Sequence, residues 1–348
     1  MRWMVVGVFT VGLAGCSAPS PPPPHGPTMT ADATASAAPA AATSPAAITR
    51  RPLPSASDGK PLRRGISYGP YREGHHPAGP YPSEAEIAED LKILATRWQM
   101  IRIYGSRGPA ETILRVIRDQ RLPLSVMVGA WIAPRDEPGK AAENEAEVKE
   151  AIVLANAYPE QVMAVSVGNE TQVFWSGHRS PRDELIEYIR TVRAAVKQPV
   201  TTADDYNFWN KPESHAVADE VDFLLLHAYA MWNGKSLEES VPWTADTLAA
   251  IAEEHPDLAI VLGETGWATE LNPEGGEQAT IIVAPAGEAE QKVFYEAFTS
   301  WAEKADQAYF YFEAFDEPWK GGDDPREIEK HWGLYDVDRT PKKALESK

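Results

Sequence analysis

Residues 258–267 read LAIVLGETGW: five apolar residues, then Gly263, then the carboxylate of Glu264, with Trp267 just beyond. Burying an unpaired charge at the end of an apolar strand is costly. The strand therefore ends where something uses a carboxylate. Residues 162–170, VMAVSVGNE, repeat the arrangement, closing an apolar run with Asn169 and Glu170. Whether these two strands belong to the same sheet decides the fold.

Working outward, further apolar runs read as strands: GISYGPY from Gly65, MIRIYG from Met100, LPLSVMVGAW from Leu122, PVTTADD from Pro199, VDFLLLHAY from Val221 and AYFYFEAF from Ala308. Several are apolar on both faces, as strands of a covered parallel sheet are. Helical patterns lie between them near 83–98, 109–121, 139–157, 182–197, 242–255 and 287–304, with a shorter segment near 212–219. Ser83 and Ser180-Pro181 supply helix-start signals. Eight strands, each followed by a helix-length connection, predict a single α/β domain over residues 63–348, a (β/α)8 TIM barrel. The competing fold is a doubly wound open sheet. It calls for a Gly-rich phosphate loop after the first strand, and SYGPYREG does not provide one.

A barrel of this kind points every strand's C-terminal end at one face, where active sites are built. Glu170 ends the fourth strand and Glu264 the seventh, nearly opposite on the ring. Side chains reaching inward from both walls bring two carboxyls to about 5 Å, the separation used by retaining glycosidases. One must then hold a proton as the acid while the other stays ionised as the nucleophile. A single strand-end glutamate is more often solvated or half of an ion pair; two on facing strands shift the balance toward chemistry.

Aromatic residues crowd the same face. Eleven tryptophans, less Trp3 near the N-terminus, leave ten. Six of these, Trp131, Trp175, Trp209, Trp232, Trp267 and Trp319, fall at or just after strand ends. Indole faces stack on sugar rings, whereas core packing places Trp inside elements, as expected for Trp98 and Trp301. In HAY, at the end of the sixth strand, alternation puts His227 and Tyr229 on one face, with Tyr229 in reach of Glu264. The eight histidines are scattered without metal-ligand spacing, so neither a metal nor another cofactor is expected.

The chain has 348 residues, with 33 Lys+Arg against 51 Asp+Glu and a net charge of −18. This disfavours nucleic acid and anionic lipid headgroups as partners and suits uncharged ligands. Residues 1–15 read as a signal peptide: Arg2, then the ten-residue apolar run MVVGVFTVGL, too short for the roughly 20 residues a membrane-spanning helix needs. LAGC, ending at Cys16, resembles the bacterial lipoprotein box. Cys16, the only cysteine, becomes the lipidated N-terminus on that reading, and the protein is exported and membrane-anchored. Loss of Arg2 with the leader takes the net charge from −18 to −19. Residues 16–62, rich in Pro, Ala, Ser and Thr, bury too little apolar surface to fold and read as a disordered linker. A monomer is expected.

The motifs GISYGPY, IRIYG, VGNE, GETGW and FEAFDEPWK followed by HWGLYD resemble glycoside hydrolase family 17, the β-1,3-glucanase family, over residues 63–340. The resemblance implies Glu170 as acid/base, Glu264 as nucleophile, Asn169 on a sugar 2-hydroxyl, Tyr229 supporting the nucleophile, and Tyr68 among the substrate-binding residues. It also carries the family's charged cluster onto Glu317, Lys320 and Glu329. The chain has FDEPW where plant members have NEN, and its fifth unit, DDYNFWNKPE, is short. Retaining hydrolysis of β-1,3-glucan is the activity implied. A glucanosyltransferase using the same site and a glucan-binding lipoprotein without turnover are the alternatives. Rim loops at YREGHHPAGPYP and NPEGGEQATIIVAPAGE bear on endo against exo action, and the second reads as a small hairpin.

Overall fold

Eight parallel strands close on themselves in the order β1 to β8. They are β1 (Arg64–Ser67), β2 (Met100–Ile103), β3 (Ser125–Ala130), β4 (Val162–Asn169), β5 (Val200–Asp205), β6 (Leu224–His227), β7 (Ile260–Thr265) and β8 (Tyr309–Tyr311). The ring closes through β1 and β8, with Gly65 opposite Phe310. This computed structural model describes residues 48–53, 55, 61–275 and 277–346. The signal peptide, Cys16 and most of the linker lie outside the described residues. All eight expected strands are present, and the (β/α)8 architecture is the one the strand count predicted.

Alternation along each strand sorts two apolar layers. Met100, Met127, Leu225 and Val261 point into the barrel floor with Phe223 and Phe310. Ile101, Val126, Val128, Leu224 and Leu262 join the layer between barrel and helices. Each fully buried side chain of this size contributes about 1.5–3 kcal/mol.

The helices are α1 (Glu84–Ala95), α2 (Ala110–Gln120), α3 (Lys140–Ala157), α4 (Arg182–Ala195), α5 (Tyr206–Trp209), α6 (His215–Ala218), α7 (Leu237–Glu254), α8 (Glu277–Ile281) and α9 (Glu288–Lys304). On α2, Ile113, Leu114 and Ile117 form a buried stripe with helical spacing. Ser83 starts α1 with a reciprocal capping box to Glu86.

Three expectations are corrected. Helix α7 begins at Leu237, earlier than the 242–255 reading, because Ser236 and Glu239 form a second capping box and Pro242 is accommodated inside the helix. The rim segment expected as a hairpin contains the short helix α8 instead. Residues 48–53, read as part of a free linker, lie against the N-terminal face of the barrel. Arg51 explains this: its backbone N–H donates to Asp222 Oδ1 (2.7 Å) and its guanidinium to the carbonyls of Gln198 and Arg193 (2.8 Å each), while Leu53 packs on the floor layer.

Candidate active site

A regular period of two would put Glu264 on the same side as Leu262, facing the helices. The register between β6 and β7 shifts after the Leu226–Leu262 pair, so that His227 pairs with Glu264. This irregularity re-aims Glu264 into the barrel, as bulges beside active sites do. Strand β4 has a matching irregularity between Ser166 and Asn169. There Gly168 and Glu170 take φ values of 80° and 50°. Two consecutive side chains, Asn169 and Glu170, thereby reach one cleft, which a regular strand forbids.

Glu264 is 6 % exposed and surrounded by donors. Its Oε1 accepts from Arg102 Nη1 (2.8 Å) and the Tyr104 hydroxyl (2.7 Å), and its Oε2 from the Tyr229 hydroxyl (2.7 Å). Burial alone would push its pKa up. The positive charge of Arg102 and the two hydroxyls oppose burial, and the carboxyl is held below its ordinary range. Glu170 is placed in the opposite way. Burial, then the negative charges of Glu264 and Asp205, push its carboxyl well above the usual range, against only partial relief from Arg102.

His227 joins the two. Its Nε2 lies 2.9 Å from Arg102 Nη1 and its Nδ1 2.8 Å from Glu170 Oε1. A guanidinium only donates, so Nε2 accepts and the ring proton sits on Nδ1, donated to Glu170. Burial lowers the histidine pKa to about 4, keeping it neutral in this role. With His227 neutral, Arg102 and the two tyrosines carry the stabilisation of the Glu264 carboxylate. The second nitrogen of Arg102 donates to Asn169 Oδ1 (2.5 Å), fixing that side chain beside Glu170.

Glu170, His227 and Glu264 each offer an atom within 4.8 Å of the others. Arg102 already supplies, at that point, the positive charge a metal ion would bring. One oxygen of each carboxyl thus lies within 4.8 Å of the other, an approach compatible with direct nucleophilic attack, for which carboxyls stand roughly 5–5.5 Å apart, rather than with the roughly 6.5–9.5 Å that leaves room for an intervening water.

The other expected site residues divide. Trp131 is 39 % exposed at the end of β3, and Trp175, Trp232 and Trp319 are partly exposed. Trp319 sits edge-on to Tyr71 and His76 and donates to Glu317 Oε1 (3.1 Å). Trp209 and Trp267 are corrections: both are 0 % exposed and present no face to a sugar. Trp267 packs on Phe294 of α9 and donates to the Pro285 carbonyl; Trp209 packs against Phe208 and His255. Tyr68 is a third. It is buried with its hydroxyl on Asp90, a buried carboxylate of α1 that is also held by Arg72 and Arg339.

Glu317 and Lys320 form the expected charged cluster, and Glu313 completes it. Lys320 Nζ lies 2.7 Å from Glu317 Oε2 and 2.8 and 2.9 Å from the two Glu313 oxygens. Its ammonium sits 4.5 Å from the Phe312 ring centroid, and Phe312 packs on Tyr229 and Tyr104. A Cβ on Gly69 would collide with the Glu317 carboxylate, so the first strand's loop is glycine where the cluster presses on it. Burial raises the Glu329 carboxyl to about 7, with Lys320 opposing the shift and the charge of Glu327 adding to it.

Arg102, Tyr104, Asp205 and Glu313 were missed in the sequence. Arg102 had a usable signal: a charged residue inside the apolar run MIRIYG, with Tyr104 on the same face by alternation.

An eight-stranded barrel with two carboxyls facing each other at its C-terminal mouth, one pushed up in pKa and the other held down, has the arrangement of a two-carboxylate glycoside hydrolase. The chain belongs to the BtgE/BtgC glycoside hydrolase domain family, whose profile matches residues 65–333. It is 31% identical over 288 residues to a glucan 1,3-beta-glucosidase of Arthroderma benhamiae, covering 76% of this chain and 86% of that one. It is 24% identical over 305 residues to the glucan endo-1,3-beta-glucosidase btgC of Emericella nidulans, covering 81% of this chain and 45% of the relative. Among solved structures, an endo-laminarinase from Formosa Hel1_33_131 superposes with a TM-score of 0.72 at 26% identity, over 81% of this chain and 85% of that one.

Proposed function

We propose that this protein hydrolyses β-1,3-linked glucan with retention at the anomeric carbon, as a member of glycoside hydrolase family 17. The observation that carries the reading is the pair Glu170 and Glu264, oxygens within 4.8 Å and environments that favour opposite protonation. Glu170 gives its proton to the glycosidic oxygen as that bond breaks. Glu264 attacks the anomeric carbon and forms a glycosyl ester. Glu170, now a base, takes a proton from water, whose oxygen displaces Glu264. Asn169, pinned by Arg102, faces the sugar 2-hydroxyl, and Trp131, Trp175, Trp232 and Trp319 supply stacking surfaces along the cleft. The linkage rests on the names of the relatives, which include both glucosidase and endo-glucosidase.

A time course on laminari-oligosaccharides tests this, with products sized and the first-formed anomer read by NMR. Shorter products with the β anomer first are expected. An α anomer first, or binding without any cleavage, overturns the reading; products longer than the substrate reassign the chain to glucanosyl transfer at the same site.

Export and lipid anchoring at Cys16 belong to the same proposal. The support is the leader's layout and the single cysteine at its end. Metabolic labelling with a fatty acid, lost in Cys16→Ser, is the expected result. A monomer is proposed as well, and sedimentation at micromolar concentration checks it.

A further inference from the structure

The loop after β4 carries a histidine that the mechanism above does not use. His178 is half-buried, and its Nε2 lies 2.6 Å from the carbonyl oxygen of Asn169. A carbonyl only accepts, so Nε2 carries the proton and donates. The other ring nitrogen faces Ser176 Oγ at 3.4 Å. The carbonyl it holds belongs to the peptide that joins Asn169 to Glu170. The N–H of that same peptide donates to the Ala203 carbonyl at 2.8 Å. The peptide plane is therefore gripped at both ends, directly ahead of a glutamate whose φ of 50° is uncommon for a residue with a side chain. Such a conformation persists only where its surroundings impose it.

The ring of His178 does a second thing. The Trp131 ring lies against it, centroids 4.7 Å apart and planes tilted by 36°. Trp131 is also the exposed aromatic residue at the end of β3, so one of its faces is backed by His178 while another part meets solvent. Trp131, His178 and the Asn169–Glu170 peptide form one contiguous chain from an open aromatic surface to the acid/base carboxyl.

We propose that Trp131, backed by His178, is the platform for a neutral glucosyl unit on the Glu170 side of the cleft, and that His178 is a positioning residue that sets the orientation of Glu170 through the Asn169 carbonyl. The inference rests on the glycosidase reading. The two functions of the histidine, ring against indole and N–H to carbonyl, can be separated by substitution. Glutamine can place an amide N–H where Nε2 stands, but it offers no ring.

The test measures kcat and KM on laminaripentaose, with melting temperatures alongside. Trp131→Ala is expected to raise KM by about two- to tenfold, the scale of one lost ring contact, with kcat nearly unchanged. His178→Ala is expected to raise KM similarly and also to lower kcat by about tenfold, the scale of one lost hydrogen bond. His178→Gln is expected to restore kcat to within about twofold of wild type while leaving KM raised. A histidine that is merely structural would move kcat and KM together with the melting temperature, and glutamine would not part them; that result overturns the proposal. Unchanged constants in His178→Ala overturn it too. If the alanine variant does not fold, the glutamine variant alone decides by the same split. A wild-type enzyme that leaves laminaripentaose intact counts instead against the glycosidase reading.

Discussion

The two catalytic-face glutamates end strands of similar sequence, VGNE and LGET, and sit within 4.8 Å of each other, yet the walls around them differ in sign. The β6–β7 wall, with Arg102 of β2 and Tyr104 just after it alongside, presents three donors to Glu264. Glu170, on the β4–β5 wall, has one side-chain donor among the described residues, His227 reaching across from β6, and the acidic residues Asp204 and Asp205 of β5 stand behind it. Asp204 is engaged with backbone, accepting from the N–H groups of Gln172, Val173 and Asp205, and burial pushes its carboxyl well above the usual range. On the proposed mechanism one residue type serves as nucleophile and as acid because the fold surrounds one copy with donors and the other with burial and acidic neighbours. The lesson is that role follows partner, and substitutions that exchange or remove partners should move the roles by predictable amounts.

The largest effect is expected from deleting the nucleophile itself. Glu264→Ala should lower kcat on laminarin by about 10⁴-fold or more, the scale seen when a covalent nucleophile is lost; residual turnover within a hundredfold of wild type would remove Glu264 from that role. Next comes the acid. Glu170→Ala should cost about 10²–10⁴-fold on laminarin. On an aryl laminaribioside whose leaving group departs without a proton the loss in kcat/KM, which reports the bond-breaking step, should be much smaller. Equal losses in kcat/KM on the two substrates would mean that Glu170 does not protonate the leaving group.

The barrel was legible in the sequence because its strands are long apolar runs between amphipathic helices, and period and spacing survive without tertiary detail. The strand-end glutamates were legible for the same reason, as charges where a buried run stops. The bulges that turn Glu264 inward and free Asn169 and Glu170 to share a cleft were not. Register shifts depend on how neighbouring strands pair, and no local pattern in LAIVLGETGW announces one. Arg102 was hidden differently. It lies on a strand remote in sequence from both glutamates, and only closure of the ring brings its guanidinium to Glu264, His227 and Asn169 together. Trp209 and Trp267 show the converse error. Position just after a strand does not say whether an indole turns to the cleft or back into the helix layer, and both turn back. Arg51, inside a stretch whose composition reads as linker, docks because three separate groups at the barrel floor accept from it.

A subtler way to probe the donor-rich wall is to remove one donor without changing its shape. Tyr229→Phe leaves the ring against Phe312 and Trp332 but takes the hydroxyl from Glu264 Oε2. A hydrogen bond to a charged group is worth about 1.5–3 kcal/mol, so kcat should fall by about ten- to 100-fold. With one stabilising partner gone, the Glu264 pKa rises, and the acid limb of kcat/KM should move to higher pH. An unmoved acid limb would separate Tyr229 from the ionisation of the nucleophile.

The smallest effect tests the acidic wall. Asp205→Asn keeps a side-chain oxygen for the Asn207 N–H it now caps at 2.8 Å, so α5 should stay in place and kcat at the optimum should change by less than about threefold. The charge, however, is gone. Burial still raises the Glu170 pKa, and Glu264 still opposes its ionisation, but the third contribution, from Asp205, is removed. The sign follows: Glu170 loses its proton at lower pH, so the alkaline limb of kcat/KM should shift toward acid while the acid limb, set by Glu264, moves little. This outcome requires Asp205 to be ionised while Glu170 is still protonated. Burial holds the Asp205 pKa above its ordinary value, with only partial relief from the Asn207 N–H and side-chain amide. An alkaline limb that stays put would show that Asp205 is neutral in the working enzyme, leaving burial and the facing nucleophile to keep the proton on Glu170.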